Sequence, residues 1–150
     1  MEHGLYAAEL FLKGYNCAQA VAVAYSDVTG LTPEFSAKMA SSFGGGMGRM
    51  REVCGAVSGM LMVAGLLYGY NDPEDDKVKM EHYALVQELA GKFREQMGSI
   101  ICRELLDNPP SDPNPTPRTA EFYKQRPCAR FVVLACDILD DYIKEHPVNN

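Results

Sequence analysis

The sequence predicts an all-α fold, a compact bundle of about five main helices around a central glycine-rich apolar helix. Apolar residues repeat at intervals of three and four, the period of a helix with one buried face. Glycine and proline separate these repeats, where helices end and begin. No stretch alternates apolar and polar residues over the length of a strand. The 150 residues suffice for one core, so residues 1–150 are interpreted as a single helical domain.

Three helices are predicted in the first third of the chain. The first covers residues 2–13 and ends at Gly14. The second covers residues 17–27, because Asn16 before it is a preferred N-cap residue. The third covers residues 32–43, where threonine, proline and glutamate follow one another in the order typical of a helix start.

A glycine-rich segment, residues 44–48, is expected to form a flexible turn before the most apolar part of the chain. Residues 53–70 form an uncharged run of 18 residues, close to the length of a membrane span. This run contains four glycines, and basic residues do not flank it on both sides. We therefore predict a buried core helix and no membrane insertion.

The second half is predicted to contain one long and two shorter helices. Residues 78–97 are strongly amphipathic, and their apolar stripe suits a core or a dimer interface, so a homodimer stays open. His82 on this stripe is interpreted as a packed histidine rather than a ligand. Residues 99–106 form a short helix, residues 107–117 contain five prolines and must be loop, and Pro127 opens the last helix.

Charge and cysteine content limit the possible functions. The net charge is −6 and the basic residues are scattered, so nucleic acid is not an expected partner. No export signal is visible at the N-terminus, which predicts a cytoplasmic protein without a static disulfide framework. Three polar sites are expected to be solvated: His3, His146 and the Asp140–Asp141 pair.

Four of the five cysteines lie in or near the first turn of a predicted helix: Cys17, Cys54, Cys102 and Cys128. Unpaired N–H groups and the positive end of the helix dipole favour an anion there, so they also favour a thiolate. Cys136 lies in the middle of the last helix and is interpreted as structural. No CxxC motif occurs, so any reacting pair must be assembled by the fold.

Nearby arginines suggest roles for individual thiols. Arg49 and Arg51 precede Cys54, which is therefore predicted to be the attacking thiol, with Cys17 as the resolving one. A further arginine lies beside each of the two later cysteines: Arg103 and Arg126.

Glycines at four-residue spacing mark the apolar helix as a site of close packing. The pairs Gly55/Gly59 and Gly65/Gly69 would each leave a bare face on which a second helix backbone can approach. The apolar helix is therefore expected to be the hub on which the cysteine-bearing helix ends converge.

Several segments together resemble the C-GCAxxG-C-C family of small proteins described as redox-active. They are residues 16–21 (NCAQAV), 43–46 (FGGG), 54–59 (CGAVSG), 102–106 (CRELL) and the late Cys128. The resemblance implies that the four family cysteines correspond to Cys17, Cys54, Cys102 and Cys128, and that Cys136 lies outside the pattern. It implies redox activity without naming a substrate, and family members are often encoded near transporter genes.

Three functions stay open from the sequence. The first is a thiol-based redox protein, an oxidoreductase whose partner is a thiol or disulfide protein or small molecule. The second is a metal-binding protein, in which the same four cysteines hold zinc or an iron–sulfur cluster. The wide spacing of the cysteines is less typical of such sites. The third is a non-enzymatic small-molecule binding or adaptor protein linked to a transporter.

Overall fold

A computed structural model of the chain describes residues 3–148, and over this range the fold is all-α, as predicted. Its helices are α1 (His3–Leu12), α2 (Cys17–Ala24), α3 (Ser26–Thr29), α4 (Pro33–Ala40), α5 (Gly55–Tyr68), α6 (Asp76–Met97), α7 (Cys102–Leu105), α8 (Ala120–Gln125) and α9 (Cys128–Glu145). A single 3-10 turn, Ser41–Phe43, follows α4. Residue 2 of the predicted first helix lies outside the described residues.

Two of the predicted helix starts are confirmed by side-chain caps. At α2 the Asn16 side chain accepts a hydrogen bond of 2.8 Å from the Gln19 amide, and the Gln19 side chain accepts one of 3.1 Å from the Asn16 amide. This reciprocal pair is a capping box. At α4 the Thr32 hydroxyl accepts a hydrogen bond from the Phe35 amide. The capping box fixes the start of α2 at its first residue, Cys17.

The predicted second helix is interrupted at Tyr25, which separates α2 from α3. The Tyr25 ring is fully buried, and its hydroxyl donates hydrogen bonds to the Cys136 carbonyl (2.9 Å) and to Asp140 (2.7 Å). The chain therefore leaves helical geometry where a polar aromatic side chain is held by α9. The sequence pattern around Tyr25 carries no sign of this long-range contact.

The centre of the bundle is formed where α5 crosses α2. A Cβ atom added at Gly59 would lie 2.8 Å from the Ala18 carbonyl oxygen, and one added at Gly55 would lie 3.1 Å from the Ala18 amide. The close approach predicted at this glycine pair is confirmed. At the second pair the prediction is wrong, because Gly65 faces open space and Gly69 follows the end of α5.

The long helix α6 packs its apolar stripe into the same core, against α5 and α9. Leu85, Leu89 and Phe93 are buried there, whereas His82 is partly exposed and meets the Tyr70 ring edge-on. The homodimer stays a prediction. Within residues 3–148, none of the helices combines the length and apolar character that a membrane span requires.

Candidate functional site

A short antiparallel bridge brings Cys54 and Cys102 together. Val53 pairs with Ile101, the Cys54 amide donates to the Ile100 carbonyl (2.8 Å), and the Cys102 amide donates to the Glu52 carbonyl (2.6 Å). Side chains alternate between the two faces of a bridge, so residues 54 and 102 share one face diagonally. The bridge therefore aims both thiols at the same space.

Helix packing brings the other two family cysteines to that space. Cys17 is the first residue of α2 and Cys128 is the first residue of α9, and these two helices are in contact. A Cβ atom added at Gly55 would lie 3.2 Å from the Cys17 Cβ, so the start of α5 is pressed against Cys17. The predicted position of all four cysteines at helix starts is confirmed, with Cys54 as the residue before α5.

All four thiols line one enclosed cavity of about 20 Å³, a volume that holds about one water molecule. Four segments that lie far apart in the chain thus meet at one point. All five cysteines are free thiols in this structure. Among residues 3–148, no group of three or more His, Cys, Asp or Glu side chains is arranged to hold a metal ion.

Next to this cavity is a larger cleft of about 570 Å³. Cys17, Cys128 and Arg51 line both spaces and form the wall between them. Cys54 and Cys102 line the inner cavity but not the cleft. A molecule that enters the cleft therefore meets the Cys17–Cys128 pair first.

The two cysteines at the wall have opposite pKa shifts. A hydrogen bond from the Cys17 thiol lowers the pKa of Cys128, and the charges of Arg126, Arg118 and Arg51 lower it further, against the effect of burial. The same hydrogen bond and burial raise the pKa of Cys17 well above its usual value. Of these two thiols, Cys128 therefore ionises more readily, and Cys17 keeps its proton longer.

The two inner cysteines are held as thiols. Burial raises the pKa of Cys54 to about 12, although the amides of Ala56 and Val57 favour the thiolate. Burial also raises the pKa of Cys102, against the effect of Arg51, whose Nη1 lies 3.7 Å from the Cys102 Sγ. The expected lowering at Cys54 is therefore absent, because desolvation of the thiolate exceeds the favourable effect of the helix start.

The glycine-rich turn is an ordered left-handed loop rather than the flexible turn that was expected. Backbone φ is positive at six of the residues from 45 to 51: Gly45, Gly46, Met47, Gly48, Arg49 and Arg51. The Arg51 and Glu52 amides donate to the carbonyls of Gly45 and Gly46, so the loop closes on itself. Non-glycine residues with positive φ are strained and concentrate at functional sites. Arg51, one of these residues, places its guanidinium beside the Cys102 thiol.

Arginines in the loop also organise the proline-rich segment. The Arg49 Nε donates to the Asp112 carbonyl (2.8 Å), and the Arg51 Nε donates to the Pro110 carbonyl (2.9 Å). Residues 107–117, a loop as predicted, are thereby held over the cleft, which Pro113 and Pro115 line. Arg103 instead forms an exposed ion pair with Glu52.

Sequence reasoning missed Arg118 as a site residue. Its guanidinium stacks 4.5 Å from the Phe11 ring centre and 4.8 Å from that of Phe122, and it donates to the Phe11 and Tyr15 carbonyls. The only signal was a lone arginine just after a run of prolines. Cys136, by contrast, is fully buried in α9 away from both spaces, in agreement with a structural role.

Comparison with known proteins agrees with the arrangement of the thiols. Residues 15–142 match the family model described as "Putative redox-active protein (C_GCAxxG_C_C)". No curated protein and no solved structure matches the chain. The match covers most of the chain and includes all four cysteines of the cavity. The chain therefore belongs to the C_GCAxxG_C_C family, whose members are classed as redox-active.

Proposed function

We propose that this protein is a thiol–disulfide redox protein in which Cys128 is the attacking thiolate and Cys17 the resolving thiol. The observation that carries the proposal is that Cys17 and Cys128, at the starts of two helices in contact, line both the cleft and the thiol cavity. A thiolate is the nucleophile in thiol–disulfide exchange. A neighbouring thiol can then attack the mixed disulfide and release the substrate. Cys128 replaces Cys54 as the proposed attacking thiol.

The proposed reaction transfers two electrons from the protein to a disulfide. The Cys128 thiolate attacks one sulfur of the substrate, which releases one substrate thiolate and forms a mixed disulfide. Cys17 then loses its proton and attacks the Cys128 sulfur, which releases the second substrate thiolate. The products are one Cys17–Cys128 disulfide and two substrate thiols, after protonation by water. An external dithiol reductant returns the protein to its starting state.

Cys54 and Cys102 are proposed as a second dithiol behind the first. Both are buried, and both face the cavity that Cys17 and Cys128 also line. The Arg51 guanidinium beside Cys102 favours its thiolate over that of Cys54. Cys102 would lose its proton and attack one sulfur of the Cys17–Cys128 disulfide, which releases the other outer sulfur as a thiolate. Cys54 would then lose its proton and attack the Cys102 sulfur, which forms a Cys54–Cys102 disulfide and releases the second outer thiolate; the two protons lost restore the outer thiols.

Disulfide mapping tests the proposal. The protein is equilibrated with mixtures of reduced and oxidised dithiothreitol, quenched with acid, alkylated, and digested for mass spectrometry. We expect Cys17–Cys128 to be the first disulfide formed. In Cys17→Ser, exchange with a small disulfide should stop at a mixed disulfide on Cys128. Cys136→Ser is the matched control and should form the same first disulfide as the unchanged protein. Five thiols that stay reduced and react alike with alkylating agent would overturn the proposal.

The same preparation separates the two other functions. Purification without oxygen, followed by metal analysis and an absorbance spectrum, would replace the proposal with a four-cysteine metal site if stoichiometric zinc or iron protected all four thiols from alkylation. A protein that has neither metal nor a mappable disulfide would instead support the non-enzymatic binding or adaptor function.

A further inference from the structure

The cleft beside the thiols is basic, although the protein as a whole is acidic. Four arginines line it, Arg49, Arg51, Arg118 and Arg126, and no aspartate or glutamate is among its described lining residues. The net charge of the chain is −6. A concentration of one sign of charge in a concave site raises the local concentration of ligands of the other sign.

The charges of these arginines are not neutralised by ion pairs. Arg49, Arg51 and Arg118 donate to main-chain carbonyls, and Arg49 also to the Thr116 hydroxyl, which are all neutral acceptors. Arg126 lies over the Phe122 ring at 5.3 Å. Within residues 3–148, no carboxylate lies within ion-pair distance of these four guanidinium groups. The Asp112 carboxylate acts on Arg49 only from a longer distance.

Arg51 gives a second, independent indication of a ligand. Its side chain is 5% exposed, and its Nη2 has no hydrogen-bond partner among the described residues. An unpartnered buried guanidinium nitrogen costs about 1–3 kcal/mol or more, so such groups are normally satisfied. This side chain lines both the cleft and the thiol cavity, as Cys128 does.

We propose that the substrate of this site is a low-molecular-weight organic disulfide that carries carboxylate groups. The inference rests on the proposed function and adds the class of substrate. A cleft of about 570 Å³ suits a small molecule. A carboxylate would pair with the Arg126 guanidinium, since arginine binds planar oxyanions through two parallel hydrogen bonds. It would accept a single hydrogen bond from Arg51 Nη2, because the other two nitrogens of Arg51 donate to Pro110 and Cys102. The Phe11 and Phe122 rings provide the apolar wall against which the carbon chain packs.

Three small disulfides that differ mainly in charge test the inference: 3,3′-dithiodipropionate, bis(2-hydroxyethyl) disulfide and cystamine. Each exchange rate is divided by the rate of the same disulfide with a free small thiol, which removes differences in intrinsic reactivity. We expect the anionic disulfide to be preferred by about 10-fold over the neutral one and by more over the cationic one. Equal normalised rates would overturn the inference, as would slow exchange with all three and fast reduction of a protein disulfide.

Arg126→Gln and Arg130→Gln form a matched pair of variants. Both remove one positive charge near the start of α9, but Arg130 is exposed and does not line the cleft. We expect Arg126→Gln to reduce the anionic-to-cationic rate ratio by about 3-fold to 10-fold and Arg130→Gln to leave it unchanged. Arg126→Gln also raises the pKa of Cys128. The resulting loss of thiolate cancels in this ratio, because it slows exchange with the anionic and the cationic disulfide equally. Equal effects of the two substitutions would count against the cleft as the binding site.

A binding measurement keeps this inference separate from the proposed function. The thioether 3,3′-thiodipropionate has the same two carboxylates but cannot exchange, and its affinity is measured by calorimetry with Cys128→Ser. Binding that weakens about 3-fold to 10-fold on addition of Arg126→Gln supports the anion site even if no disulfide is ever found. Exchange that proceeds without any such binding leaves the proposed function in place and overturns the inference.

Discussion

Helix α9 carries two cysteines eight residues apart whose surroundings differ in charge. Cys128 and Cys136 are both buried, at 8% and 0% exposure. Around Cys128 lie arginines and a donating thiol, and its pKa is lowered. Burial raises the pKa of Cys136, and the Asp140 carboxylate raises it further. Burial alone therefore does not distinguish a reactive cysteine from a structural one. The sign of the neighbouring charge does, because a hydrogen-bond donor acts at both sites, the Cys17 thiol at Cys128 and the Tyr25 hydroxyl at Cys136.

The acidic part of α9, around Asp140, holds α1 in place. His3 is buried, stacked 4.0 Å from the Tyr25 ring, and contacts Asp140 (2.8 Å) and Asp27 (3.0 Å). The expectation that His3 and Asp140 are solvated is therefore wrong. Burial disfavours the imidazolium, but the two carboxylates outweigh this effect and raise the pKa of His3. One end of α9 thus stabilises a thiolate, and the other stabilises an imidazolium.

The largest expected effect is on the rate of thiol alkylation when each cysteine of α9 is replaced in turn by serine. At pH 7 the Cys128 thiolate should dominate alkylation by iodoacetamide. Cys128→Ser should therefore slow the fastest phase by about 10-fold or more, because the pKa of each remaining thiol is raised. Cys136→Ser should leave this phase unchanged. Mass spectrometry of the labelled peptides checks both, and a fast phase assigned to Cys136 would break the comparison.

A second test disturbs the glycine-rich loop, which places arginines near Cys128 but not near Cys136. Gly46 has φ +69°, and an added Cβ would lie 2.6 Å from the Glu52 amide nitrogen. Gly46→Ala should cost about 2–4 kcal/mol of unfolding free energy in a urea titration, because main chain cannot move aside as a flexible side chain can. Gly65→Ala is the matched control, since Gly65 is helical and faces open space. It should stabilise the protein by about 0.5–1 kcal/mol. A neutral Gly46→Ala would contradict an ordered loop.

The third and smallest effect is on the unfolding free energy when His3, which contacts Asp140 of α9, is replaced. His3→Gln retains polarity but cannot carry charge, so it should cost about 1–2 kcal/mol near pH 5.5. A raised His3 pKa stabilises the fold fully below the unfolded value of 6.5, and this contribution is lost as pH rises through the folded value. The pKa of Asp140 is lowered by its hydrogen bonds to His3 and Tyr25, against the effect of burial. Its contribution is therefore lost as pH falls through that lowered value.

The cost of His3→Gln should accordingly be largest between about pH 4 and pH 6.5 and should shrink above that range. Urea titrations at a series of pH values measure it. The exposed His146 is the control, and His146→Gln should change the unfolding free energy by less than about 0.5 kcal/mol at every pH. A cost for His3→Gln that grows toward pH 9 would show that His3 does not act through its charge.

The helix framework was predictable because its signals are local. Asn16, Thr32 and Gly98 each act on the residues next to them, and a cap or a left-handed glycine is decided within one turn. The break at Tyr25 was not predictable, since its hydroxyl bonds to residues more than 100 positions away. The prediction of close packing at Gly65 and Gly69 was wrong for a related reason. Glycine spacing shows that a second helix could approach closely, but not that a helix lies there.

The sequence by itself determined which four cysteines belong together and that each begins a helix, because both follow from local patterns and from the resemblance to one family. Which thiol ionises most readily was decided only by the tertiary structure. The pKa of a thiol depends on desolvation and on charges within a few ångströms. For Cys128, Arg126 is a neighbour in sequence, but Cys17, Arg118 and Arg51 are brought to it only by the fold. The arginine cleft arises in the same way, from a glycine-rich loop and a proline-rich segment that meet only in the folded chain.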